Sequence, residues 1–184
     1  MRKLREKNEY DGNPVGLPKE TCRTIADELD RHLSTYLYLY QQYHKHHWLV
    51  EGPQFRDLHL FFEEHYNQVH EHYDAIAERL TVLGYAPTCH PVNMEKLSYI
   101  EFEEEGVFHI RDMLKKDMAD EKAISIELRK SIHTAFDLSD FATKKLLEGV
   151  LEAAEERAHH IEHFLGEDSL VIGLLHEAKE MENA

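Results

Sequence analysis

Cysteine and proline are scarce in this sequence, two and five among 184 residues. Cys22 and Cys89 lie far apart, with no CxxC or zinc-ribbon spacing, which argues against a disulfide framework or a cysteine zinc site and predicts free thiols in a reducing cytosol. No run of 18 apolar residues occurs, so no membrane span is expected. The opening MRKLREKNEYDGN carries basic residues but no apolar core segment, so no secretory signal is expected either. Basic residues are outnumbered, 21 against 36 acidic ones, for a net charge of −15. That balance disfavours polyanions over the body of the protein, favours cations and supports solubility.

Histidine is plentiful. Fifteen are present, clustered at 44–47, 65–72 and 159–163. Grouped imidazoles raise the expectation of metal chemistry. The length suits one domain with a real core, and 42% hydrophobic with 31% charged residues is a globular composition.

The chain is organised around residues 47–84. From about 56 to 83 there is neither Gly nor Pro, and Leu58, Phe61, Phe62, Tyr66, Val69, Tyr73, Ile76, Ala77, Leu80 and Leu83 step by three and four. That spacing predicts one long amphipathic helix, entered through Gly52-Pro53 and stopped at Gly84. Four candidate metal ligands accompany it: His47, His59, Asp74 and Glu78. Asp74 and Glu78, four apart, project from one side of the helix. His59 precedes Asp74 by fifteen residues, about 22 Å along a straight helix, whereas such ligands bind a metal at about 2 Å. Either the two pairs are unrelated, or a second copy of the helix runs antiparallel and brings His59 beside the partner's carboxylates, as a two-fold dimer does.

His47-Trp48, then G-x-x-F-x-x-L-H ending at His59, then F-E-x-x-Y with Glu63, then D-x-I-A-E-R-L-x-x-L-G beginning at Asp74 resembles Dps, the ferritin-like DNA-binding proteins from starved cells. The H-H-I-E-H-F-L stretch further resembles the DpsA branch of cyanobacteria and halophilic archaea. The resemblance spans about residues 18–168. It implies an all-α, ferritin-like four-helix bundle with a long crossover between helices two and three, carrying a short extra helix. It also implies a hollow dodecamer and a ferroxidase centre across the two-fold interface, with His47 and His59 from one subunit and Asp74 and Glu78 from its neighbour. Glu63 would be a further iron ligand or a group behind the ligands. Iron, usually oxidised with hydrogen peroxide in this family, is the implied metal, with zinc at one ferroxidase position as a variant. Trp48 would quench stray radicals.

Taken along the chain, residues 1–17 read as a flexible tail whose Arg2, Lys3, Arg5 and Lys7 resemble the DNA-binding tails of some Dps proteins, diluted by Glu6 and Glu9. The first helix is expected over 18–49, with Tyr36, Tyr38, Tyr40 and Tyr43 as core or as interceptors of oxidising equivalents. His65, His70 and His72 read as surface or interface residues. A connection over 84–105 includes a short helix near 93–98 and a solvated acidic turn, 101–105. The third helix is expected over 107–136 and the fourth over 139–165. Asp140 is either a cap or, by the resemblance, the lining of an iron-entry pore. On the fourth helix Glu156-x-x-His159 fits the pattern of intrachain di-iron bundles. His159, His160 and His163 are candidates for an extra metal contact. Residues 169–184 read as an acidic tail with a short apolar run at 171–175.

The expected activity is Fe(II) oxidation and ferric storage in the cytoplasm, protecting DNA by removing iron and peroxide. Two rivals remain: an intrachain di-iron carboxylate protein, and a DNA-compacting protein whose iron binding is incidental.

Overall fold

The computed structural model describes residues 2–166; the acidic tail and its apolar run lie outside the described residues. Among these residues there are five helices and no strand: α1 (Lys19–Leu49), α2 (Phe55–Val82), α3 (Pro91–Leu97), α4 (Ile110–Asp137) and α5 (Phe141–Leu165). The four long helices match the apolar periodicity of the sequence. Leu58, Phe62, Val69, Ile76, Leu80 and Leu83 of the predicted stripe are buried on the α2 side. Short connections make α1–α2 and α4–α5 antiparallel hairpins. α1 also packs on α4 and α2 on α5, which closes the bundle, while α3 lies against α1. The long link between α2 and α4 is therefore a crossover.

Some boundaries differ from the sequence reading. α3 begins at Pro91, suited to a first helical turn. α4 begins at Ile110, not 107, because the preceding residues are held extended against α1. There Lys45 lies over the Phe108 ring at 4.7 Å and over Phe102 at 5.8 Å. The acidic turn is anchored too, since Glu103 pairs with both Lys45 and His46. At the other end of α4, Ser139 takes a positive φ of 61°. Asp140 then caps α5 by accepting from the Thr143 backbone N–H.

The stretch read as a loose tail is fastened from Lys7 onward. Lys7 Nζ donates to Asp30 Oδ2 at 2.6 Å, and Asp30 also accepts from the backbone and hydroxyl of Thr88. Asp11 N–H donates to Gly84 O, and the Tyr10 ring lies 5.5 Å from that of Tyr85. Gly84 permits this approach: its φ is +85°, and a Cβ there would come within 2.1 Å of Gly12 O.

One polar layer crosses the apolar core. Arg157 of α5 forks onto Glu121 of α4 through Nε (2.6 Å) and Nη2 (3.0 Å), and its Nη1 donates to Gln68 of α2. Tyr43 of α1 donates to the same Glu121 at 2.7 Å. Burial works against the guanidinium charge, and the Glu121 carboxylate overrides it, so Arg157 stays ionised.

Candidate metal centre

His47 closes α1 and His59 opens α2, and the short turn between those helices brings the two rings together. Their centroids are 3.7 Å apart and nearly parallel. The contact is reciprocal: His47 Nδ1 donates to His59 O at 2.9 Å, and His59 Nδ1 donates to His47 O at 2.8 Å. With both Nδ1 protons committed to carbonyls, each Nε2 is left as a lone-pair donor, the arrangement that carbonyl-tethered histidines use toward metals. Phe55 stacks on the far face of His59 at 5.0 Å.

Aromatic rings surround the pair. Tyr66 lies 5.3 Å from His47 and 3.9 Å from His44, which itself stacks on Trp48 at 5.0 Å. Burial, followed by His47 and His70, lowers the His44 pKa and favours its neutral form. Glu63 lies one turn beyond His59; after burial, its carboxylate is the chief influence raising the Tyr66 phenol. Trp48 is 64% exposed. Tyr36 and Tyr43 are core residues, whereas Tyr38 and Tyr40 are only partly covered.

Asp74 and Glu78 are exposed and belong to the same unbroken helix as His59. Nothing shortens the path from His59, about 22 Å to Asp74 and about 28 Å to Glu78. Among the described residues of one chain, no three His, Cys, Asp or Glu side chains gather around a point able to hold a metal ion. A single chain thus presents two separate groups of candidate ligands, two imidazoles at one end of α2 and two carboxylates toward the other.

The remaining candidates divide. Asp140 is not a free pore lining: it is 2% exposed, and its oxygens take Arg79 Nη2 and the Thr143 backbone and hydroxyl. Glu156 and His159 of the intrachain pattern face solvent, while the residue between them that points inward is Arg157. A buried, ionised guanidinium thus lies where an intrachain di-iron centre would need carboxylates. His159 and His163 meet on the surface, with Nε2 atoms 3.2 Å apart. His65 and His72 turn inward instead of toward the surface, and burial lowers each to a pKa of about 4. His70 stays exposed on the outer face, 5.3 Å from Tyr40.

The comparisons with known proteins agree with this fold. Residues 26–171 match the ferritin-like domain family. The chain is 43% identical over 163 residues to a nutrient stress-induced DNA-binding protein of Synechococcus sp., covering 89% of this chain and 93% of that one. It is 42% identical over 153 residues to a DNA protection during starvation protein of Halobacterium salinarum, covering 83% and 84%. Among solved structures, an archaeal Dps homologue from Halobacterium salinarum superposes with a TM-score of 0.89 at 35% identity, covering 92% of this chain and 95% of that one.

Proposed function

Because this chain belongs to the ferritin-like family, in the Dps group shared by cyanobacteria and Halobacterium, we propose that it oxidises Fe(II) at sites completed by two subunits and stores the ferric product. His47 and His59 of one subunit and Asp74 and Glu78 of its two-fold neighbour hold the iron substrate, with Glu63 close behind. The observation that carries this reading is the stacking of His47 of α1 on His59 of α2, while the unbroken α2 keeps His59 far from Asp74 and Glu78 of the same chain.

The two imidazoles hold Fe(II) without adding charge. The two carboxylates favour Fe(III) as it forms, since hard anionic oxygen suits the more highly charged ion. Hydrogen peroxide is the oxidant. Two Fe(II) each give one electron, the O–O bond breaks, and with two waters the products are two FeO(OH) and four protons, so no hydroxyl radical is released. Tyr66 beside His47, with Trp48 and Tyr40 against His44, can give up electrons to stray oxidants before these reach the core. Zinc can occupy one metal position, because the donor set also suits it.

The shell is a hollow dodecamer in the cytoplasm, built from the domain at 18–168 with 1–17 and 169–184 flanking it. Protection of DNA is chemical, through loss of Fe(II) and peroxide. Lys3, Arg5 and Lys7 are paired with Glu6, Asp11 and Asp30, which weakens the tail as a DNA contact. No helix among the described residues is long and apolar enough to cross a membrane.

The test is anaerobic Fe(II) loading followed by peroxide or air, read by near-ultraviolet absorbance of the ferric product. Fast peroxide-driven oxidation that is lost in His59→Ala supports the proposal; equal rates in both proteins overturn it.

A further inference from the structure

His65 is only 3% exposed and sits on α2 facing α5. Its Nδ1 proton is donated to Phe61 O at 2.5 Å, so Nε2 carries the free lone pair. That Nε2 is buried and has no protein partner. It lines a small cavity of about 60 Å³ between the two helices, bounded also by Glu64, Gln68, Glu156, Arg157 and His160. Across the cavity the His160 ring stands edge-on to His65, with centroids 6.2 Å apart.

We propose that this α2–α5 cavity is a second metal site, which takes a borderline divalent ion such as Zn²⁺ on His65 Nε2, His160 and Glu156. Glu156 and His160 are four residues apart on α5, so they share the side of that helix that borders the cavity. Two imidazoles on one tetrahedral ion place their centroids ~5 Å apart, given nitrogen–metal bonds of about 2 Å. As they stand the three side chains do not meet around one point; binding requires the exposed His160 to close by ~1 Å and the exposed Glu156 to turn in from solvent. The Arg157 guanidinium lines the cavity, but each of its three nitrogens already donates to Glu121 or Gln68. Glu64 adds negative charge at the rim. Imidazole with a single carboxylate selects zinc-like ions over calcium or magnesium.

The site shares no residue with the His47–His59 pair, so the test uses metal-stripped, assembled protein carrying His59→Ala and titrates Zn²⁺ calorimetrically. Adding His160→Ala should weaken one zinc site per chain by at least about tenfold, and Glu156→Gln should weaken the same site. Adding His163→Ala should leave it intact. The proposal falls if His160→Ala binds zinc like its parent. It falls equally if His163→Ala alone removes the ion, which would assign it to the surface pair His159 and His163. His160 is exposed, so its loss leaves the fold in place.

Discussion

Two chains, each stripped of half the ligand set, should restore one another. One chain carries His47→Ala and His59→Ala; the other carries Asp74→Ala and Glu78→Ala. Alone, neither assembles a whole site. With equal co-expression and random pairing, a site is intact only when its imidazoles come from the second chain and its carboxylates from the first. Half of one choice multiplied by half of the other leaves roughly a quarter of the sites of the unaltered protein, since a two-fold interface builds each site from both partners. The magnitude follows from α2 being continuous from Phe55 to Val82, which keeps His59 about 22 Å from Asp74 of its own chain. The assay is the initial rate of peroxide-driven Fe(II) oxidation on shells purified through a different affinity tag on each chain. Mixed shells as inactive as either parent would refute the inter-subunit arrangement, and a fully active carboxylate-deficient parent would remove Asp74 and Glu78 from the chemistry.

Arg157→Met should destabilise the protein by about 3–5 kcal/mol, because it leaves Glu121 buried and unpaired. The double replacement with Glu121→Leu should recover most of that loss, and comparison of thermal melts would decide. Gly84→Ala should cost about 1–3 kcal/mol from its positive φ and push residues 10–12 off the bundle, which limited proteolysis at Lys7 and Arg5 would detect as faster cleavage. His46 supplies a pH dependence. Burial alone would lower its pKa, yet Asp117 and Glu103 raise it from 6.5 to about 9. A raised folded-state pKa contributes stability that is fully present below about 6.5 and is lost as pH rises through about 9. Metal-free wild type should thus show a melting temperature that falls between neutral pH and about 9.5, while His46→Gln should stay flat there; parallel curves would contradict the bridge.

Much of the architecture was legible because burial of one helical face leaves a period in the sequence. Leu58 to Leu83 announced α2, and Gly52-Pro53 announced the turn that brings His47 to His59. Pairings across long separations left no such trace. Nothing local to Arg157 says that Glu121 will neutralise it, so a charged residue beside Glu156 reads as surface, and the intrachain Glu-x-x-His pattern stays plausible until the facing is known. The anchoring of the basic tail was hidden for a related reason: Arg5 and Lys7 find Asp11 and Asp30, contacts helped by Gly84 allowing the backbone to approach. His65 and His72 sit among polar neighbours in the sequence, and only the helix rotation turns them inward. For the candidate metal ligands, the spacing ruled out one chain holding all four around one ion, and the reciprocal Nδ1–carbonyl bonds of His47 and His59 appear only once the two helix ends meet.

The polar layer at Arg157, Glu121, Gln68 and Tyr43 draws one side chain from each long helix. It works as a register key. A helix that slipped by one turn, about 5.4 Å, would keep most of its apolar contacts, because leucine meets leucine almost as well one turn along. It would also strand an ionised guanidinium or carboxylate in the core, which the bundle tolerates badly. The ends of α1 and α2 are therefore indexed to the middle of the molecule. Whatever comes to lie opposite His47 and His59 meets two imidazoles set at fixed height, so the precision of the outer surface is inherited from the centre.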